Sequence, residues 1–369
     1  MNQFLSDKFK FYSFLSMLLL VFVHGYNLHE TYLQPWMTVN EPMTVTTFTE
    51  HWLANGLFRF RIPMLFIISG FLYAYTDAKP YKERTLKRLK TLGIPYLLWS
   101  SLALLLTFAL EYIPSVNQAI KASMIAMTDM NTLTVHDYKW YEWFGRVLYP
   151  IAFQLWFIRV LLLYNIAYPA IRWCVLNIPK TWLIFTFILY FFGVYLFFIE
   201  GAGLFFFSLG IWIQKNKFDI ETPPKFLPAK WFIAFFVLIS LVKTYLAFHG
   251  LALLGADTGL VIGILYRLNE LCGLVGLWYG ADGLVRWASR LQFIRFAQPF
   301  SFMIYAFHVP VLYYAMHFCS LQIGHWPYHR LIAYVFVPIF IILISIGIGA
   351  FLRKIWPSFY GLLTGGRGL

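Results

Sequence analysis

Long runs of apolar residues, separated by short charged or Pro- and Gly-containing segments, fill most of this chain of 369 residues. One helical crossing of a bilayer needs about 20 apolar residues. We therefore predict an all-α integral membrane protein of about ten transmembrane helices, forming a single domain over 1–369. The predicted helices cover 11–29, 56–76, 93–111, 148–171, 181–199, 202–214, 230–249, 257–280, 299–320 and 331–352. The run 202–214 is short and flanked by glycines, so it is either a full span or a helix packed inside the protein.

The composition excludes an ordinary soluble globule. Hydrophobic residues make up 60% and charged residues 12% of the chain, whereas soluble domains have about 45–50% apolar and about 25% charged residues. The aromatic content of 21% fits the same class, because Trp and Tyr favour the headgroup level of a membrane. The three cysteines are scattered without metal-binding spacing, so we expect no metal site.

The distribution of Lys and Arg predicts the orientation of these helices, because such residues concentrate in cytoplasmic loops. With the N-terminus inside, twenty of the 29 Lys and Arg fall in inside segments and only four in outside loops. Both termini are therefore predicted to be cytoplasmic, with loops 30–55 and 112–147 outside, in a multi-pass protein of the cell membrane. The net charge of +13 is explained by these loops and the membrane lipids they face, so we expect no nucleic acid partner.

The outside loop 112–147 contains an aromatic cluster at 138–144 with charged residues between the rings. The cluster favours an interfacial helix on the outer leaflet. A platform on which a sugar stacks is the alternative.

His24 is the strongest candidate for chemistry, since it lies late in an outward-going first helix. A neutral imidazole titrates near physiological pH and can remove a proton from an attacking hydroxyl. The structural alternative is an imidazole at a helix end that bonds a neighbouring carbonyl. The sequence shows no Ser/His/Asp or Cys/His arrangement. Direct transfer of a group to the acceptor, without a covalent enzyme intermediate, is therefore the simpler mechanism.

Other charged residues inside predicted helices are functional candidates because burying them in a bilayer is costly. Arg267 and Glu270 lie three apart on one helix, as an ion pair or as part of a binding site. An anionic ligand is one natural partner for Arg159. His308 precedes a proline, and we expect it to donate to the resulting local kink.

Several motifs together give the chain a resemblance to acyltransferase family 3, a family of polytopic membrane acyltransferases, over nearly its whole length. They are the first helix ending in His24 and the segments 61–71, 87–100, 155–157 and 301–311. The resemblance implies a ten-helix transferase unit, an acyl-coenzyme A donor on the cytoplasmic side, and a carbohydrate or lipid-linked glycan as the usual acceptor. It also implies that His24 is the catalytic residue.

One position departs from the family pattern, which has an arginine eleven residues before the histidine. Ser13 occupies that position here. If the arginine holds the phosphates of the donor, this chain uses Lys10 or the basic run 82–90 instead, or uses a different donor. The phosphate-binding candidates are Lys10, Lys87, Arg88 and Lys90.

The first functional hypothesis is an O-acyltransferase that moves an acyl group from acyl-coenzyme A to a cell-surface or lipid-linked glycan. The expected acyl group is acetyl, so that acetyl-CoA is the co-substrate. No bound cofactor is expected. His24 is its base, and the predicted substrate-binding residues are Arg61, Arg159, Arg267, Glu270 and Trp156. The alternative is a polysaccharide or lipid-glycan exporter with a cationic path; a membrane sensor or structural subunit is a third. No duplicated halves are visible, which counts against transporters built from repeats.

Overall fold

A computed structural model gives the structure of residues 1–26, 34–128, 132–196, 199–223, 226 and 228–369. Five sequence predictions fall wholly or partly outside these described residues. They concern the end of the first helix at 27–29, the start of the outside loop 30–55 at 30–33, residues 129–131 of the outside loop 112–147, residues 197–198 of the helix 181–199, and the inside residue Lys225.

Helices form almost all of the described structure, joined by short turns of π or 3-10 geometry. Two-residue strands, β1 and β2, pair antiparallel through Tyr195 with Glu200 and Leu196 with Ile199. The elements are α1 Gln3–His24, α2 Val45–His51, α3 Arg61–Tyr75, α4 Tyr81–Arg88, α5 Ile94–Leu110, α6 Pro114–Ser123, α7 Trp140–Leu148, α8 Trp156–Ile166, α9 Tyr168–Asn177, α10 Pro179–Phe191, β1 Tyr195–Leu196, β2 Ile199–Glu200, α11 Gly201–Lys215, α12 Ala229–Leu254, α13 Thr258–Gly280, α14 Asp282–Ala288, α15 Gln292–Ala297, α16 Ser301–Ile323, α17 His329–Ile355 and α18 Pro357–Thr364.

Five helical segments of the described chain are long and apolar enough to cross a membrane, and a sixth is reached if the bent pair α7 and α8 is one span. The five are Val45–Tyr75, Tyr81–Leu110, Ala229–Gly280, Gln292–Ile323 and His329–Ile355. The segment Ala229–Gly280 contains α12 and α13, which are joined by a turn at Gly255. An all-α membrane protein is thus the observed class, whereas ten spans and the side of each terminus stay predictions.

The first helix begins at Gln3 rather than at residue 11. Two other predicted helices are interrupted or shortened in the structure, and proline and glycine explain both. The predicted helix 148–171 is interrupted, since α7 and the segment from Phe153 meet at 50° and α9 begins separately. Pro150 and Pro169 lack an N–H for a continuous helix, and each restrains the residue before it. The predicted helix 181–199 stops at Phe191, because the chain turns at Gly193 with a φ of +64°.

The described chain divides into two compact units. The first contains Met1–Ser16, Gln34–Arg88 and Val160–Gln298, and the second contains Met17–Leu33, Leu89–Arg159 and Pro299–Leu369. In the first unit α12 and α13 form an antiparallel hairpin. A Cβ at Gly276 would meet Ile233 and one at Gly273 would meet Phe236. A residue later in α12 thus contacts a residue earlier in α13, as in antiparallel helices.

The first unit also contains a glycine-mediated contact between α3 and α11. A Cβ at Gly70 would overlap the carbonyl oxygen of Phe207, and one at Gly210 would overlap that of Ile67. Small residues let helix backbones approach this closely in membrane proteins. Most residues of α11 are buried, so the glycine-flanked run predicted at 202–214 is a helix packed inside the protein.

The second unit is built around α16, which packs against α17, α5 and α6. Val309 has non-helical angles within α16, with a φ of −105° and a ψ of 133°. Pro310 explains this break, because proline disfavours helical angles in the residue before it. The break lies beside the imidazole pair described next.

Candidate active site

Two buried histidines face each other in the second unit, one at the end of α1 and one beside the break in α16. Nδ1 of His24 lies 3.0 Å from Nε2 of His308. Their rings stack at 23° with centroids 5.2 Å apart. The ring of Phe153 lies 4.9 Å from that of His24. The packing fixes both imidazoles in a site largely closed to water.

The break in α16 is held by Gln154, which supplies donors that the proline removes. Pro310 has no N–H to give the carbonyl of Ala306, and the side-chain amide of Gln154 donates to that oxygen at 3.1 Å. The same amide donates to the carbonyl of Val309 at 3.2 Å. Tyr305 in turn donates its hydroxyl to the backbone oxygen of Gln154 at 2.7 Å. These bonds hold the helix on both sides of His308.

The neighbours of His308 determine which nitrogen of His24 carries a proton when both rings are neutral. Nδ1 of His308 lies 2.9 Å from the carbonyl oxygen of Ile304, which can only accept, so this nitrogen is the donor. The sequence predicted that His308 donates to the carbonyl freed by Pro310, which is that of Ala306, but Gln154 donates to that oxygen. Nε2 of His308 is then an acceptor, and Nδ1 of His24 donates to it. The basic lone pair of His24 is therefore on Nε2. In this tautomer His24 can act as a general base toward a hydroxyl that approaches Nε2.

Two further predicted substrate-binding residues belong to the second unit. The guanidinium carbon of Arg159 lies 5.0 Å from the centre of the Tyr149 ring, a distance at which a cation is attracted to the ring face. Trp156 is half-buried, one turn earlier on α8, and its ring is 6.0 Å from that of Phe157. Their roles in binding stay predictions.

Arg267 and Glu270 form the predicted ion pair in the first unit, at 3.2 Å. The carboxylate of Glu270 also accepts the hydroxyls of Tyr266 at 2.6 Å and Tyr190 at 3.1 Å. The guanidinium carbon of Arg267 lies 4.8 Å from the Tyr266 ring and 4.9 Å from the Tyr190 ring. This network orients Arg267 in an aromatic surrounding, while its role toward substrate stays a prediction.

Arg61, also in the first unit, lies at the start of α3 and is almost fully buried. Its guanidinium donates to the carbonyl of Phe58 at 2.9 Å. Nearby in the chain, Arg59 donates to the side chain of Asn55. Buried guanidinium groups need several acceptors, and a local carbonyl supplies one of those for Arg61.

A carboxylate that follows the end of α3 forms ion pairs with basic residues from three other helices of the first unit. Asp77 accepts from Arg84 at 2.6 Å, from Arg172 at 2.8 Å, and also from Lys215. The hydroxyl of Tyr168 donates to it at 2.8 Å. Burial raises the pKa of Asp77, yet the hydrogen bonds from Lys215, Tyr168 and Arg172 outweigh burial and lower that pKa to about 2. Asp77 is thus ionised in the folded protein.

The predicted donor-phosphate residues lie in accessible, basic segments. Lys10 is exposed, and its ammonium lies 3.6 Å from the carboxylate of Asp7. Lys87 and Lys90 are exposed, whereas Arg88 is half-buried with its guanidinium carbon 5.6 Å from the Tyr73 ring. Their accessibility is compatible with phosphate binding, which stays a prediction.

Two features of these sites had no sequence signal strong enough to find them. His24 and His308 are 284 residues apart, and only the coincidence of two histidines in apolar helices hints at their pairing. The cluster around Asp77 joins residues from four helices, and an isolated aspartate between helices resembles any turn residue.

Comparison with known proteins places these observations in a family. Residues 14–350 match the family model described as "Acyltransferase domain" of acyltransferase family 3. The chain is also 25% identical, over 332 residues, to the succinoglycan biosynthesis protein ExoH of Rhizobium meliloti (strain 1021), with 85% of this chain and 81% of that protein covered. No solved structure matches the chain.

Proposed function

This chain belongs to acyltransferase family 3, and from that premise we propose that it moves an acyl group from a cytoplasmic acyl-coenzyme A to a hydroxyl of a cell-surface or lipid-linked glycan. The observation that carries the proposal is the buried pair of His24 and His308. A glycan acceptor is supported by similarity to a protein named for succinoglycan biosynthesis. Acetyl is the proposed acyl group.

In the proposed reaction His24 is the general base. Its Nε2 takes the proton from the acceptor hydroxyl as the oxygen attacks the carbonyl carbon of the thioester. The tetrahedral oxyanion then collapses, the bond from carbon to sulfur breaks, and His24 returns the proton to the departing thiolate. The products are an acyl ester and coenzyme A.

Cationic residues supply the remaining requirements of this reaction. An oxyanion intermediate is stabilised by donors fixed before the reaction begins. We assign that task to Arg159, which lies in the same unit as His24. Arg61 and Arg267 are proposed to bind substrate within the first unit, with Glu270 orienting Arg267 through their 3.2 Å ion pair. Trp156 is proposed as an aromatic contact for the substrate.

The donor is proposed to bind through its phosphates at basic residues that face the cytoplasm. The candidates are Lys10, Lys87, Arg88 and Lys90, all outside the apolar cores of the helices. Lysine binds phosphate as a point charge, while arginine adds paired donors. Acyl-coenzyme A acts as a co-substrate in this proposal.

The proposed topology has ten helices, both termini cytoplasmic, and the cell membrane as the location. Its support is the excess of Lys and Arg in alternate loops. A fluorescent reporter that matures only in the cytoplasm, fused after Gly366, is expected to fluoresce in cells. Fluorescence only from a reporter suited to the outside would contradict this orientation.

Acyl transfer is tested with the purified full-length protein in lipid nanodiscs, radiolabelled acetyl-coenzyme A and total cell glycans. We expect label in the glycan fraction, and its loss by about 10²–10⁴-fold in His24→Ala, the usual contribution of a placed acid–base group. His325→Ala is the matched control, since it removes an exposed histidine. Normal turnover in a folded His24→Ala protein would rule out His24 as the base.

A further inference from the structure

The first unit contains a cavity of about 340 Å³ at the junction of α10, α13 and the segment around Trp36. This volume falls within the range of small-molecule sites, about 300–1,000 Å³. Aromatic rings line much of it, among them Trp36, Tyr195 and Tyr266, and Arg267 contributes the charged group. The proposed function assigns Arg267 to substrate binding but does not say which part of the substrate it contacts.

Glycines keep the cavity open. Gly259 and Gly263 both line it, at the same face of α13 as Arg267, because residues four apart share one helix face. A Cβ at Gly259 or Gly263 would meet nothing within 4 Å. A Cβ at Gly193 would lie 3.2 Å from Nη2 of Arg267. The guanidinium thus lies against the glycine turn that forms one wall.

The polar groups of the cavity suit a neutral ligand that carries several hydroxyls. Glu270 lies 3.2 Å from Arg267 and compensates its charge, so an anion gains little there. A hydrocarbon chain would leave the guanidinium donors that face the cavity without acceptors, at a cost in free energy. Hydroxyl oxygens accept from a guanidinium without needing a formal charge.

The aromatic walls complete the match to a sugar. The face of an aromatic ring is negative, and the C–H groups of a pyranose ring are weakly positive, so the two stack. Trp36 and Tyr195 present such rings in the cavity, and the Tyr266 ring lies 4.8 Å from the guanidinium carbon of Arg267. A pyranose would therefore have ring contacts on its faces and donors at its edge.

We propose that this cavity binds one pyranose ring of the acceptor glycan; its designation as the acceptor rests on the proposed function. The lining residues come from the end of α10, from the turn and strand β1 that follow it, and from the first half of α13. Trp36 lies in the loop that the charge distribution predicts to be outside. A cell-surface glycan approaches from that side. The site consists of Trp36, Tyr195, Tyr266 and Arg267 around the space that the glycines leave.

The test fills the cavity without disturbing the fold. Gly263→Leu and, one turn earlier, Gly259→Leu place a side chain in the cavity from positions where a Cβ meets no other atom. Gly347→Leu is the matched control, because Gly347 is an exposed helical glycine of α17 whose Cβ would also meet nothing within 4 Å. Full-length protein in nanodiscs is examined by saturation-transfer NMR with methyl β-D-glucopyranoside and methyl β-D-galactopyranoside.

We expect saturation transfer to at least one glycoside in the unsubstituted protein and in Gly347→Leu, and its loss in both filling variants. Acyl transfer should show an acceptor KM raised about tenfold or more in the filling variants, with the donor KM unchanged. Equal sugar signals in all four proteins would overturn the proposal, as would saturation transfer to decanol but not to either glycoside. Sugar binding without acyl transfer by the unsubstituted protein would refute the proposed function and leave the sugar site standing.

Discussion

Replacing His308 by Phe tests whether this residue positions the proposed base. Phe keeps a flat ring in the buried position but removes both nitrogens, so Nδ1 of His24 loses the acceptor now 3.0 Å away. A buried donor left without an acceptor costs about 1–3 kcal/mol. The tautomer of His24 with its lone pair on Nε2 is destabilised by this free energy relative to the other neutral tautomer.

The expected effect follows from this free energy. A loss of about 1–3 kcal/mol lowers the population of the competent tautomer by about 5- to 150-fold. The turnover number should fall by a comparable factor, while the KM for acyl-coenzyme A stays unchanged. His308→Gln provides the matched variant: its amide oxygen can accept from His24, so we expect it to retain most of the turnover that Phe loses.

Two measurements separate a positioning role from a structural one. Turnover is compared at equal amounts of folded protein, judged by size-exclusion chromatography in detergent. The ¹⁵N shifts of labelled imidazoles report directly which nitrogen of His24 is protonated. Full turnover in His308→Phe, or an unchanged His24 tautomer in it, would refute the reasoning.

Two further predictions concern stability. Gly210→Ala should lower the free energy of unfolding by about 1–3 kcal/mol or more, because its Cβ would overlap the carbonyl oxygen of Ile67; Gly347→Ala is the control in a thermal assay, and equal melting of the two would contradict the close contact. The pKa of Asp77 is about 2 in the folded protein, below the unfolded value of about 3.9. The ionised carboxylate therefore contributes at most about 2.5 kcal/mol to the free energy of unfolding, and this contribution is present above pH 4 and lost as the pH falls toward 2. Asp77→Asn should remove that part of the pH dependence of unfolding, and an unaltered profile in this variant would show that other groups cause it.

The sequence was sufficient where a structure depends on local pattern. The apolar runs at 230–249 and 257–280 predicted the hairpin helices α12 and α13 to within a few residues, except that α12 extends five residues further. The segment 148–171 was predicted as one helix, because its mean apolarity hides the effect of two prolines on backbone hydrogen bonding.

Contacts between distant parts of the chain lie beyond such patterns. The sequence indicated that Arg267 and Glu270 could pair, since a spacing of three brings them to one helix face. It could not indicate that Tyr190 donates to Glu270 or that Trp36 lines a cavity beside Arg267. Those contacts depend on the packing of helices whose order along the chain does not determine their neighbours.

The separation of 284 residues between His24 and His308 has a consequence for biosynthesis. At about 5–20 residues per second, a ribosome needs about 15–60 s to make the second histidine after the first. During this interval the nascent first helix already carries its imidazole but lacks the acceptor that selects its tautomer. A chain that stops anywhere before α16 therefore contains His24 without this partner, and the proposed base lacks the tautomer selection that His308 provides.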